Sequence, residues 1–331
     1  MTAETIKIAG IPRPVSRVAL GTWAIGGSMW GGTDEPASIA TIQCAIDRGI
    51  NLIDTAPVYG FGRSEEIIGK ALQGARRDKA MIATKLGLRW DDGKVTRDAS
   101  PARIRQEVED SLRRLQTDHI DLYQVHWPDG GVPLEETAAE LEKLRHEGKI
   151  LSIGVSNFST HQMDRFRKAA PLASVQPPYN LFERDIDDDV LPYADSHGLA
   201  VLAYGSLCRG LLSGRIGLDT VFEGDDLRRN DPKFKSPRRA HYVDAVRALD
   251  AWARHKHGKS VLALAVRWVL DRGPTIALWG ARRPDQLEAV CEVFNWRLEP
   301  DEMREIDAIV MRHVADPVGP EFMAPPERKA A

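Results

Sequence analysis

The 331-residue chain is 43% apolar and 28% charged with a net charge of −3, the balance of a globular protein long enough for one large α/β domain. So small a charge argues against a nucleic-acid footprint or a basic membrane patch. The three cysteines, Cys44, Cys208 and Cys291, are far apart without paired spacing, and read as buried small hydrophobes in a reducing compartment. The opening Met-Thr-Ala-Glu-Thr-Ile-Lys-Ile has no signal-type apolar region, and no apolar run is of membrane-spanning length, so a cytoplasmic location is expected.

In chain order, residues 5–20 read as a small hairpin followed by a first strand, Arg17–Leu20, which runs into Gly21-Thr22-Trp23. A helix is predicted from Glu35 to Arg48. The next apolar run, Ile50–Ile53, stops on Asp54, and a helix over Glu65–Leu72 follows with Ser64 as its cap and acids at the positive end of its dipole. Between them Tyr59 sits in a Pro-Val-Tyr-Gly loop. Strand Lys79–Thr84 ends at Lys85, before a helix opened by Ser100-Pro101. Ile120–Val125 ends at His126, before a helix over Leu134–Glu147 closed by Gly148. Ile150–Val155 ends at Ser156-Asn157, before helix Ser159–Lys168. Ala173–Val175 ends at Gln176, before helix Asp187–His197, and Leu199–Ala203 ends at Tyr204. A long polar connection over 205–240 leads to helices Tyr242–His257 and Val261–Leu270. Strand Thr275–Leu278 ends at Trp279-Gly280, and a helix starts at Pro284.

Eight strand–loop–helix units without a break in composition predict a single domain over 1–331. A doubly wound sheet accommodates the same alternation, but the even spacing favours a closed (β/α)8 TIM barrel with an N-terminal β-hairpin and long loops at its C-terminal face. In such barrels the site is built from the C-terminal ends of the strands. Here those ends are Asp54, Lys85, His126, Asn157, Gln176 and Tyr204, with Tyr59 a few residues past the second. Singly each has a plainer reading: Asp54 as a helix cap, Lys85 as a solvated lysine, His126 as a rim histidine, Tyr59 as an aromatic lid. Their convergence on one mouth favours chemistry. A phenol with a pKa of about 10 exchanges protons poorly at neutral pH; a lysine beside it is expected to lower that value, and a carboxylate to hold the lysine charged. A neutral histidine nearby orients a carbonyl oxygen. No nucleophile and no metal-ligand spacing accompanies them, so carbonyl reduction here needs an external hydride, and thus a nicotinamide cofactor.

With these residues stand Leu20-Gly21-Thr22-Trp23, Asn51 to Gly60, Ala83-Thr84-Lys85, Val125-His126-Trp127-Pro128, Gly154-Val155-Ser156-Asn157-Phe158 and Leu202 to Leu207. Together they resemble the aldo-keto reductases over nearly the whole chain, with Asp225 to Arg228 and Asp231 to Phe234 similar to bacterial glyceraldehyde- and sugar-aldehyde-type members. The resemblance implies a catalytic tetrad of Asp54, Tyr59, Lys85 and His126, and a cofactor site beginning at Gly21, Thr22 and Trp23. It implies that Ser156, Asn157 and Gln176 hold the nicotinamide carboxamide and that Tyr204 stacks on the ring. It places the pyrophosphate near Ser206, Leu207 and Arg209, although Arg209 also reads as a plain rim arginine. The segment Gly280, Arg282, Arg283 and Gln286 resembles a 2′-phosphate site, and a helix start beside arginines suits phosphate in any case, so NADP(H) is expected over NAD. Ala289 and Val290 then depart from the polar Glu-Asn that many members carry toward adenine.

Trp23, Trp30 and Trp127, with Tyr59 and His126, are the expected substrate walls, joined by the tail near Phe322-Met323; for Trp30, ordinary packing is an equal reading. The basic run from Arg228 to Arg239 reads as a solvated loop or, slightly favoured, as a cover over the cofactor phosphates. The resulting expectation is NADPH-dependent reduction of small hydroxyaldehydes or sugar aldehydes such as glyceraldehyde, with no nucleic-acid or membrane partner. The alternative is a regulatory or cofactor-sensing module, like the family's ion-channel accessory subunits.

Overall fold

The computed structural model of the protein describes residues 4–326. A short antiparallel pair, β1 (Thr5–Ile6) and β2 (Val15–Ser16), precedes the barrel strands β3 (Val18–Gly21), β4 (Leu52–Asp54) and β5 (Met81–Leu86). A second hairpin follows, β6 (Leu88–Asp91) and β7 (Lys94–Arg97), and then β8 (Ile120–Val125), β9 (Ile150–Ser156), β10 (Ser174–Gln176), β11 (Ala200–Ala203) and β12 (Thr275–Gly280). The eight strands β3, β4, β5, β8, β9, β10, β11 and β12 pair in parallel and close into a barrel, β12 against β3. The helices are α1 (Trp23–Gly26), α2 (Glu35–Asp47), α3 (Arg63–Ala71), α4 (Pro101–Leu115), α5 (Leu134–His146), α6 (Thr160–Arg167), α7 (Val190–Ser196), α8 (Arg238–His257), α9 (Val261–Leu270) and α10 (Pro300–His313). The expected barrel and N-terminal hairpin are both present. The sequence reading contained neither the β6–β7 hairpin nor α10.

Two apolar layers hold the barrel. Side chains alternate along a strand, so Ile53, Ile82, Tyr123 and Val175 face outward into the helix layer. Leu52, Ala83, Leu122, Leu202 and Leu278 face inward with Ile8, Ile11 and Val15, which plug the N-terminal end. The next inward position on three of these strands is polar: Asp54 after Leu52, Lys85 after Ala83, Gln124 after Leu122. Pleat and register therefore stack one polar layer on top of an apolar interior. Gly154 makes room for it, since a Cβ there would lie 2.8 Å from Gln124 Cγ and 2.4 Å from Ser174 Oγ.

The start of α3 corrects one expectation. The cap is Gly62, in the left-handed region at φ 101°, and Ser64 lies inside the first turn. Its hydroxyl accepts from Thr55 Oγ1 at 2.9 Å and donates to Thr22, tying the ends of β3 and β4 together. The acids do sit in the first turn, Glu65 and Glu66, and Glu65 is fully buried, where it accepts from Thr84 Oγ1 at 2.6 Å and Arg114 Nε at 2.7 Å. The cysteines differ as well, for only Cys208 is buried, with Cys44 half-buried and Cys291 exposed.

Candidate active site

At the C-terminal mouth of the barrel Lys85 is wholly buried. Its Nζ donates to Asp54 Oδ2 at 2.8 Å, to the Thr55 carbonyl at 2.9 Å and to the Tyr59 hydroxyl at 3.3 Å. The other oxygen of Asp54 accepts from Gln176 Nε2 at 2.8 Å and from Gln124 Nε2 at 3.3 Å. With both carboxylate oxygens bonded, the buried pair is compensated, which a lone buried charge would not be. Gln124 was missed from sequence; its signal was an amide inside the otherwise apolar end of Ile120–Val125.

Burial, and then the Asp54 carboxylate, push the Tyr59 phenol well above its ordinary value. This corrects the expectation that Lys85 lowers it: burial dominates, and Asp54 adds to it instead of cancelling. The phenol therefore keeps its proton at neutral pH, the state a proton donor needs. Lys85 is drawn down by burial against the pull of Asp54. The His126 imidazole, edge-on to the Tyr59 ring at 5.8 Å between centroids, is held well below its ordinary value by burial first and by Lys85 second, so it is neutral.

Beside this group, Asn157 Nδ2 donates to the His126 carbonyl at 3.0 Å and to Ser156 Oγ at 2.9 Å, while Asn157 Oδ1 accepts from the Tyr204 hydroxyl at 2.9 Å. Ser156 Oγ in turn donates to the Gln176 carbonyl at 2.7 Å. Tyr204 is thereby fixed as a flat aromatic wall, and Gln176, its Nε2 engaged by Asp54 and Gln124, keeps Oε1 as an acceptor.

One cavity of about 510 Å³ takes in most of the expected residues: Gly21, Thr22, Trp23, Trp30, Asp54, Tyr59, His126, Trp127, Ser156, Asn157, Gln176, Tyr204, Leu207, Arg209, Gly280, Arg282 and Gln286. Lys85 stands behind its wall. Ser206 is buried with its hydroxyl on the Ala203 carbonyl, and Arg283 points away from the cavity to pair with Asp285 at 3.2 Å. Sequence reasoning did not single out Val58, Phe61, Leu88 and Val95 as lining residues. Trp23 stacks on Tyr59 at 5.9 Å and meets Trp30 edge-on at 5.5 Å.

The far end of the cavity is electropositive. Arg282 donates to the carbonyls of Trp30 at 2.8 Å and Gly32 at 3.3 Å, and its charge is disfavoured by burial first and then by Arg228 and Arg283. Arg282 and Arg283 also offer backbone N–H groups to Gln286 Oε1, at 2.7 and 3.1 Å. Arg209 is different: its guanidinium lies between Glu183 and Asp231, 2.6 Å from the latter, in a buried cluster with Lys233. The basic run divides accordingly. Arg228 lines the cavity over the Trp30 ring at 5.3 Å, Lys233 is buried on Glu183 at 2.8 Å, and Arg229 and Lys235 are exposed. The same loop is pinned across the mouth, with Asp225 accepting the N–H groups of Met29 at 2.7 Å and Gly31 at 3.0 Å.

A family model for the aldo/keto reductase family matches residues 17–311, and the chain belongs to that family of oxidoreductases. It is 57% identical over 328 residues to the Bacillus subtilis (strain 168) protein named aldo-keto reductase YhdN, covering 98% of this chain and 99% of the other. It is 36% identical to the Escherichia coli (strain K12) NADH-specific methylglyoxal reductase, covering 91% and 95%. Among solved structures, glycerol dehydrogenase AKR11B4 from Gluconobacter oxydans superposes with a TM-score of 0.89 at 58% identity, covering 98% of this chain and 100% of that one. A Klebsiella pneumoniae aldo-keto reductase in complex with NADPH gives a TM-score of 0.71 at 28% identity, covering 100% and 98%. Among the described residues no helix is long and apolar enough to cross a membrane.

Proposed function

We propose that the protein reduces small aldehydes, such as glyceraldehyde and other short hydroxyaldehydes, to alcohols with NADPH, and oxidises the matching alcohols in reverse. The observation that carries this reading is the buried Asp54–Lys85–Tyr59 chain beside a neutral His126, opening into a cavity whose far end is electropositive. The cavity suits a dinucleotide. Gln176 Oε1 is free to meet a carboxamide, Tyr204 offers a ring face, and at the far corner the Arg282 guanidinium bonds, among the described residues, only to backbone carbonyls while Asp226 pairs the neighbouring Arg228.

The nicotinamide, when bound, supplies the hydride. Tyr59 and His126 hold the substrate carbonyl oxygen between a phenol O–H and an imidazole, and Tyr59 gives its proton to that oxygen as negative charge develops on it. Lys85 then stabilises the phenolate that Tyr59 becomes, and Asp54 keeps Lys85 charged in a buried place. Trp23, Trp30 and Trp127 present apolar faces that exclude water and suit the apolar faces of short polyols. The glycerol dehydrogenase and methylglyoxal reductase among the relatives act, by name, on substrates of this size.

The coenzyme choice favours NADPH because Arg282 lies at the cavity without a carboxylate ion partner among the described residues, while the neighbouring Arg228 is paired with Asp226. A panel of short aldehydes and glycerol, each run with NADPH, NADH and their oxidised forms, tests the whole reading. Turnover of at least one short hydroxyaldehyde with NADPH is expected; saturable NADPH binding with no turnover of any carbonyl would replace it with the cofactor-sensing module.

A further inference from the structure

The outer end of the cavity is walled by three separate parts of the chain: Leu88 and Val95 on the β6–β7 hairpin, Trp127 on the loop after β8, and Met323 with Pro325 on the C-terminal tail. None of these walls is part of the barrel, so something must hold them in register. One side chain touches all three. Arg97, at the end of β7 and only 6% exposed, donates from Nη1 to the Pro128 carbonyl at 2.9 Å and from Nη2 to the Pro325 carbonyl at 2.9 Å. Its guanidinium also lies over the Trp127 ring at 5.1 Å. The planar fork is suited to this, since two N–H groups reach two carbonyls while the flat face stacks on indole.

We infer that Arg97 is the positioning residue that sets how far the outer end of the substrate cavity opens, and so the length of aldehyde it accepts. It does not line the cavity and lies outside the Asp54–Lys85–Tyr59–His126 group, so it acts through the walls it clasps. With the clasp in place, the hairpin and the tail close over a short substrate. Without it, the hairpin is untied from the Pro128 loop and from the tail, short aldehydes lose their enclosing wall and longer apolar ones gain room. The inference rests on the proposed reduction of aldehydes in this cavity.

The test compares glyceraldehyde with hexanal in the full-length protein, its Arg97→Ala variant, and its Arg97→Lys variant, which keeps the charge but lacks the planar fork that reaches both carbonyls. In both variants the ratio of kcat/KM for hexanal to that for glyceraldehyde should rise roughly tenfold. The change should come through KM while kcat for glyceraldehyde and the Kd for NADPH stay put. An unchanged ratio in either variant, or an equal loss on both substrates, would overturn the assignment. Failure of the unmodified protein to oxidise NADPH with either aldehyde would overturn the proposed reduction, and the inference with it.

Discussion

Gly26 lies so close to Tyr59 that a Cβ on it would stand 2.5 Å from the tyrosine's carbonyl carbon. A Cβ on Gly60 would meet the Gly26 carbonyl oxygen at 2.1 Å, so the turn after β3 and the loop after β4 touch backbone to backbone. The Trp23 ring, one helical turn before Gly26, stacks on Tyr59. The two loops thus form one unit that fixes the phenol. Gly26→Ala should force them apart and lower kcat by about a hundredfold, the cost of a displacement near 1 Å, with NADPH affinity nearly kept. Steady-state kinetics with a binding titration check it; a variant with unchanged kcat would show that the contact does not set the position of Tyr59.

Lys85 and Asp54 are joined in a buried place, so removing one leaves the other's charge uncompensated. Lys85→Met should abolish reduction and also destabilise the fold by about 3–5 kcal/mol. Adding Asp54→Asn should recover most of the stability and none of the activity. Chemical denaturation of the single and double variants, alongside turnover, separates the electrostatic role from the catalytic one. Equal stability of the single and double variants would contradict the pairing.

Glu107 on α4 gives a pH signature away from the site. Its Oε2 accepts the Gly87 N–H at 3.0 Å, with Arg103 3.6 Å away and Glu65 and Arg114 nearby, and burial raises it from 4.5 to about 7. A carboxyl raised on folding holds its proton better in the folded chain, so its contribution to stability falls as pH climbs from 4.5 to about 7 and is level above that. Glu107→Gln removes this dependence. The difference in unfolding free energy between variant and parent should shift in the variant's favour by about 3 kcal/mol between pH 4.5 and pH 8. A difference that stays constant across that range would mean that Glu107 is ionised throughout.

The two arginines of the 280s separate cleanly by position. Arg282→Ala should weaken NADPH roughly ten- to a hundredfold and NADH hardly at all, an effect that shrinks as salt rises. Arg283→Ala, whose partner is Asp285 at the surface, should do much less. Titrations of both coenzymes at low and high salt check this. Equal weakening of NADPH and NADH by Arg282→Ala would mean that Arg282 supports the cavity wall and does not meet a phosphate.

What was legible in the sequence was the part set by strand order and pleat. Asp54, Lys85, His126, Asn157, Gln176 and Tyr204 all follow apolar runs, and a closed parallel barrel brings every such end to one mouth. What was not legible depends on contacts between distant segments. Gln124 looks inward only once the register with Gly154 is known. The direction of the Tyr59 shift depends on burial, which no spacing reports. The carboxylates that hold Arg209, Glu183 and Asp231, arrive from elsewhere in the chain, and Arg97 becomes a clasp only when Pro128 and Pro325 lie beside it. The β6–β7 hairpin escaped because its four-residue strands flank an Asp-Gly turn in a run too polar to read as core.

The most direct test is a single turnover of the NADPH-loaded protein mixed with glyceraldehyde, followed by the loss of NADPH, for the parent and for Tyr59→Phe. The phenylalanine variant keeps the ring that packs between Trp23 and His126 and loses the hydroxyl, with the proton that Tyr59 is proposed to give and the acceptor for Lys85 Nζ. The expected result is unchanged NADPH binding and a rate lower by about 10²–10⁴ or more. A variant that binds NADPH as before and retains more than about a tenth of the parent rate would contradict Tyr59 as the proton donor.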